Sequence, residues 1–351
     1  MSATADTVHE SQSSAFPLAD TSGLSRPHLC VVIDTEEDFD WSGPFSRTST
    51  SVQSFRNLGR AQEVFERHFV RPCYLASYPI VTDDYAVQVL QGWLNEDRCT
   101  IGAHLHPWVT PPDEEVVCLL NSFPCNLPGD LERRKLQVLS DTIVDRIGQL
   151  PIVYKAGRYG FRLKSAGMLK ELGFQVDMSV MPFRDYSGMG GGPNFFDCPS
   201  QPFWSDSGRN LLHLPMTHGL IGPLRAVAGR GTDRMLFSST LGRLHGPGLL
   251  SRLGLLERIM LTPEGLTLDD MRRLVRNLAA RGQRVFVLSM HSPSFTPGRT
   301  PYARDAAEVD ALLARIDAFL AFFRAELDGT TVTPLELRQA FLAQEMRSKQ
   351  G

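Results

Sequence analysis

The chain has 351 residues, 42% of them hydrophobic, and a net charge of -3 at pH 7. That length suits one large α/β domain or two smaller ones, and the near-neutral balance gives no electrostatic case for nucleic-acid binding. No run approaches the ~18 apolar residues of a membrane span, and MSATADTVHESQSSAF has neither the basic start nor the apolar centre of a secretory signal.

In chain order, residues 1–27 are polar and rich in Ser and Thr, which predicts a mobile tail. A single domain is expected over 28–346. Short β-rich runs then alternate with helical patterns. Strands are predicted at 29–34, 72–76, 100–104, 152–156, 174–178, 211–215 and 284–290, with a short eighth at 330–333. Helices are predicted at about 54–69, 83–97, 130–149, 164–173, 266–281, 304–326 and 334–346. Asp83, Asp130 and Thr267 stand where N-terminal caps belong, and Gly173 and Gly282 where C-terminal caps belong. Such alternation predicts a parallel sheet, and without a Gly-rich dinucleotide fingerprint a barrel is favoured over an open doubly wound sheet.

Two insertions interrupt the alternation. Residues 107–129 are Pro-rich and predict a loop beside His104 and His106. Residues 219–262 carry six arginines and two acids among Gly, Leu and Met. That composition suits a lid, a phosphate-facing surface or a membrane-surface patch, and equally a solvated connection around one packed helix. The six cysteines form no CxxC pair, and Cys30, Cys73 and Cys99 lie in or beside apolar runs. Buried thiols in a reducing compartment, by default the cytoplasm, are expected.

The chemistry gathers at predicted strand ends. Asp34 and Glu36 lie in VVIDTEEDFDW, and His104 and His106 in TIGAHLHPW. Residues spaced i, i+2 on an extended segment project to one face. Glu36, His104 and His106 therefore form a candidate metal set, with Asp38 or Asp40 able to replace Glu36. Asp34 is a candidate base for water, or else a structural carboxylate capping the next turn. Lys155 and Arg158, in VYKAGRYGF, can pair with Asp34 or meet anionic substrate groups. Gly157 and Gly160 suggest a turn that presents backbone N–H groups. Asp177 ends one predicted strand. His291 follows another and can protonate a leaving amine, or be a core histidine. His213 and His218 are weaker candidates, at the substrate edge or in the core.

The ordered set VIDTEED, GAHLHPW, KAGRYGF, GFQVDMS, LPM and LSMHSPSF resembles the polysaccharide deacetylases with a NodB homology domain, and most of all their WalW-like branch, found with lipopolysaccharide genes. The likeness runs from about Leu29 to His291. It implies a distorted (β/α) barrel of about seven parallel strands. It further implies a divalent metal, most often zinc, and removal of acetyl groups from an N-acetylated sugar or glycan precursor, here of a cell-surface polysaccharide or lipopolysaccharide. Carried over by motif, Asp34 is the base, Glu36, His104 and His106 hold the metal, and Asp177 supports the catalytic His291. Lys155 stands where the family has arginine, with Arg158 three residues on. Backbone N–H groups at Tyr159 and Gly160 are the expected oxyanion donors. A small-molecule amidase and a glycan-binding protein with a decayed site are the alternatives on the same barrel.

Overall fold

The computed structural model describes residues 16–221 and 257–348. Its centre is a curled sheet in the order β10-β1-β2-β3-β4-β5-β7-β6. The strands are β1 (His28–Thr35), β2 (Cys73–Ala76), β3 (Thr100–Leu105), β4 (Val153–Ala156), β5 (Val176–Asp177), β6 (Phe203–Trp204), β7 (Leu212–His213) and β10 (Val285–His291). All pairs are parallel except β6 with β7. A short β11 (Thr330–Thr331) also pairs with β1. The residues of β1 from Leu29 onward are all buried, which explains its continuous apolar run: a parallel strand covered on both faces has no polar side to alternate with.

Helices cover the outside. They are α1 (Gly59–Arg67), α2 (Tyr78–Thr82), α3 (Asp84–Asn95), α4 (Gly129–Ile147), α5 (Ala166–Glu171), α6 (Leu268–Ala280), α7 (Ala306–Ala325) and α8 (Pro334–Ser348). Asp83 caps α3 by accepting from the Ala86 N–H at 2.9 Å. Thr267 and Asp270 form a reciprocal capping box on α6. Asp130 is not a cap: Pro128 precedes α4, and Asp130 lies in its first turn, where a carboxylate still favours the helix dipole. Gly173 and Gly282 end their helices at φ 87° and 92°, conformations that cost a side-chain-bearing residue.

The wall between β7 and β10 is completed without a ladder strand. An antiparallel pair, β8 (His218–Ile221) and β9 (Glu257–Met260), stands there. Thr217 ties it in: its carbonyl accepts from Leu261 N–H, and its hydroxyl accepts from Val287 N–H at 2.7 Å. The Ser289 N–H then donates to the Leu261 carbonyl. The result is the distorted β/α barrel expected from the alternation. The pair is the two ends of the 219–262 insertion; residues 222–256, on which most of the lid or patch expectation falls, lie outside the described residues.

Residues 16–27, expected to continue the tail, pack instead. Phe16 lies 5.5 Å from Phe203, Ala19 and Leu24 are buried, and Trp204 N–H donates to the Pro17 carbonyl. Phe16, Ala19 and Leu24 here outweigh the polar composition. Residues 1–15 are outside the described set. Among the described residues no helix is long and apolar enough to cross a membrane.

One core carboxyl carries a stability prediction. Glu132 of α4 is buried, its Oε1 has no hydrogen-bond partner, and desolvation pushes its pKa up to about 8. A carboxyl whose folded pKa exceeds its unfolded value stabilises fully below the unfolded value of about 4.5, and that contribution is lost as pH rises through about 8. Glu132→Gln is therefore expected to stabilise the fold by on the order of a few kcal/mol at pH 8 and by little at pH 4. Denaturant melts at the two pH values check this; an equal effect at both contradicts it.

Candidate active site

The parallel ladder places the chemistry. Register pairs Asp34 of β1 with His291 of β10, and His104 of β3 with Lys155 of β4. All four lie at C-terminal strand ends and open into one cavity of about 380 Å³, on the face where parallel barrels present reacting groups.

Glu36, His104 and His106 come together, with ligand atoms within 4.8 Å of one another. The Nε2 atoms of His104 and His106 stand 3.7 and 3.5 Å from Glu36 Oε2. Each histidine is oriented through its other nitrogen. His104 Nδ1–H donates to the Lys155 carbonyl at 2.9 Å, and His106 Nδ1–H donates to Glu37 at 2.8 Å. Glu37 is itself held by the Ser77 hydroxyl at 2.9 Å. With Nδ1 protonated, both Nε2 lone pairs face the carboxylate. Glu36 Oε1, buried, has no hydrogen-bond partner among the described residues. Two imidazole nitrogens and an orphaned carboxylate oxygen, all converging, fit a divalent cation such as zinc. The i, i+2 spacing of the histidines works because His106 lies just past β3, and Trp108 stacks on its ring at 4.2 Å. Gly157 gives it room: a Cβ there would stand 2.5 Å from the His106 ring. Removing the Glu37 support, as Glu37→Ala, is expected to weaken metal binding by about 10–100-fold, read by competition with a chelating dye; unchanged affinity would mean Glu37 does not orient His106.

Asp34 sits beside this group but is held differently. Lys155 Nζ donates to both its oxygens, at 2.8 and 2.6 Å, and to Ser289 Oγ at 3.2 Å. Burial alone would raise the Asp34 pKa. Lys155, His104 and His291 outweigh it and hold the carboxyl below the usual carboxylate range. Asp38 stands outside this group and accepts from the Ser51 hydroxyl and the Ser54 N–H. Asp40 accepts from Ser42.

His291 presents Nε2 at 3.6 Å from Asp34 Oδ2. Its Nδ1–H donates to Glu264 at 2.8 Å, and its backbone N–H donates to the same carboxylate at 3.0 Å. Trp41 meets its ring edge-on at 4.9 Å. Burial pulls the imidazole pKa down, but Glu264, Glu36 and Asp34 more than reverse this and raise it to about 9. The carboxylate behind His291 is thus Glu264, and Asp177 is elsewhere. Asp177 is fully buried and accepts from His213 Nδ1–H at 2.8 Å, a pair sealed under Phe203, whose ring stacks on His213 at 4.6 Å. His218 points at the Pro182 carbonyl, and desolvation lowers its pKa to about 3.

Tyr159 and Arg158 line the cavity; Gly160 does not. The Gly160 N–H donates to the Gly157 carbonyl at 2.9 Å, so it is spent inside the turn and cannot serve an oxyanion. Arg158 and Tyr159 both adopt left-handed backbone conformations, at φ 55° and 57°, which cost non-glycine residues on the order of 1 kcal/mol each. The turn thereby aims Arg158 inward.

The residues that sequence reasoning missed are Glu37 and Glu264. Glu37 was hidden in an acidic run that reads as solvated. Glu264 lies in LTPEGL, beside the insertion, yet period 2 was available: Met260, Thr262 and Glu264 all line the cavity.

Among solved structures the chain is similar to a proposed polysaccharide deacetylase from Mycobacterium smegmatis, at TM-score 0.51 and 16% identity over 94% of this chain and 95% of that one. The two share the distorted β/α barrel fold. A family 4 acetyl xylan esterase from Clostridium thermocellum, in complex with a cobalt ion, aligns at TM-score 0.40 and 10% identity over 89% of this chain and 91% of that one. A CE4 family pseudoenzyme from Bacillus anthracis aligns at TM-score 0.40 and 9% identity over 88% and 65%. No protein-family model matches the sequence, and no curated protein matches it. At these identities the likeness concerns the fold, and function rests on the site.

Proposed function

We propose that this protein is a metal-dependent deacetylase that hydrolyses an N-acetyl group on an amino sugar of a surface-glycan precursor. The observation that carries the reading is one cavity in which a Lys-held carboxylate, a Glu-held imidazole and a convergent Glu-His-His set face each other. Each side chain has one job that a neighbour assigns to it, as expected of an acid, a base and a ligand set working on one bond.

A divalent cation held by Glu36, His104 and His106 would supply Lewis acidity, polarising the acetyl carbonyl and lowering the pKa of water. Asp34, ionised by its pairing with Lys155, takes the proton from the attacking water. The water oxygen adds to the acetyl carbon. His291, charged at neutral pH, gives its Nε2 proton to the sugar nitrogen as the C–N bond breaks. Acetate and a free amine leave, and the proton on Asp34 returns the balance through solvent. Glu264 keeps the His291 ring in the tautomer that presents Nε2. Aromatic side chains around the cavity, Trp41, Trp108, Tyr159 and Tyr186 among them, offer flat apolar faces to a sugar ring.

The test is acetate release from N-acetylated sugars by purified protein, with and without a chelator, and after zinc, cobalt or nickel is returned. Release that is lost on chelation and restored by metal is expected. Release from small aliphatic amides but no sugar would favour the amidase alternative. Stoichiometric metal with no turnover on any amide would favour a glycan-binding protein.

A further inference from the structure

Charges at the strand ends of the cavity come in pairs: Asp34 with Lys155, Glu264 with His291. The rest of the cavity wall is not balanced in this way. Arg158 and Arg184 both line it, and among the described residues neither has a carboxylate in ion-pair contact. Arg158 is held by other means. Its guanidinium lies 4.0 Å over the Phe123 ring and 5.0 Å over Phe45, and it donates to the Ser122 hydroxyl. Burial pulls its pKa down, the mark of a cation taken from water without a counter-charge.

Arg158, Arg184 and Tyr186 line the same cavity. Two like charges at one partly desolvated wall repel each other, and an anion relieves that repulsion. Guanidinium is also the group whose planar fork matches phosphate and carboxylate oxygens. The Tyr159 and Tyr186 rings, which line the same cavity, stack with centroids 5.9 Å apart and planes at 18°.

We propose that Arg158 and Arg184 bind an anionic substituent, a phosphate or a carboxylate, carried by the same sugar whose acetyl group faces Asp34 and His291. The substrate class is then an acidic amino sugar and not a neutral polysaccharide. The acetyl-group half of this statement rests on the deacetylase reading; the anion half stands on the arginines alone.

Binding is measured on metal-free protein, so that phosphate cannot ligate a cation at Glu36. Calorimetric titration compares N-acetylglucosamine, N-acetylglucosamine 1-phosphate and N-acetylmuramic acid. At least one acidic sugar is expected to bind about tenfold or more tightly than the neutral one, the yield of one charge-assisted contact. The arm that gains names the anion as phosphate or carboxylate. The Arg158→Gln/Arg184→Gln double variant is expected to lose that preference, and the Lys/Lys pair to recover part of it, since lysine keeps the charge and loses the fork. Metal stoichiometry at the untouched Glu36, His104 and His106 verifies that each variant is folded; should the double variant fail, Arg184→Gln alone gives the same comparison. Equal affinity for charged and neutral sugars overturns the proposal, as does a preference that survives in the folded Gln variants. Acetate release from neutral and acidic sugars at equal efficiency would leave the deacetylase standing and remove this inference. An arginine-dependent anion preference without any acetate release would do the reverse.

Discussion

Asp34→Asn is expected to lower turnover by about 10²–10⁴-fold while metal stays bound, because asparagine keeps the shape of the side chain and cannot take a proton. The change also has a structural cost that must be separated from the chemical one. Lys155 is buried and bonded to both Asp34 oxygens. Replacing that carboxylate leaves an uncompensated buried ammonium, a loss of about 3–5 kcal/mol for a broken buried pair. The Asp34→Asn/Lys155→Met double variant removes both charges and is expected to regain most of the stability and none of the turnover. Metal content, thermal midpoint and acetate release, measured on the wild type and both variants, make the distinction. Loss of metal in Asp34→Asn would make Asp34 a ligand instead of a base. Recovery of turnover in the double variant would remove it from proton transfer altogether.

The second large effect concerns His291 and Glu264. His291→Ala is expected to cut amide hydrolysis by about 10²–10⁴-fold with metal content unchanged, and to cut hydrolysis of an activated aryl ester far less, since a phenolate leaves without protonation. Glu264→Gln should act through the pH profile. His291 must be protonated to act as acid, so activity falls as pH rises through its pKa. With Glu264 in place the imidazole is raised from 6.5 to about 9. A bound cation would offset the share due to Glu36 and bring the alkaline limb down somewhat within that interval. Glutamine at 264 keeps a hydrogen-bond acceptor and loses the charge, so the limb is expected to shift further toward 6.5. An unshifted limb would assign the alkaline group to something other than His291. Equal losses on amide and aryl ester in His291→Ala would make the imidazole a positioning group.

Much of this was legible in the sequence because parallel strands announce themselves. LCVVID and VFVLSMH are almost continuously apolar and each ends in an ionisable residue, as a strand buried on both faces reads. The strand ends then delivered Asp34, Glu36, His104, Lys155 and His291 to one cavity. What could not be read were relations across the sheet. Asp177 matched a motif position, yet the register that pairs it with His213 cannot be inferred from either segment alone. Glu264 reaches His291 from the stretch after β9, which Leu261 ties to Thr217 and Ser289 across the sheet. The two-residue strand β6 is too short to show a period, and the packing of Phe16 depends on Phe203, almost two hundred positions away in the chain.

The register itself has a further consequence. The proposed base and acid are neighbours on one ladder, Asp34 against His291, and the proposed metal ligand His104 is the neighbour of Lys155 on another. Lys155 spans both: its ammonium grips Asp34 and its carbonyl orients His104. The distances between these four side chains are therefore ruled by the hydrogen-bond spacing of the sheet, whereas much of the cavity wall around them comes from loops. Such a division lets evolution, or an engineer, exchange the segments at 107–129 or 183–195 to change what is bound without retuning how it is cut. A single-residue insertion within β1, by contrast, would turn Asp34 to the opposite face and end the chemistry at once.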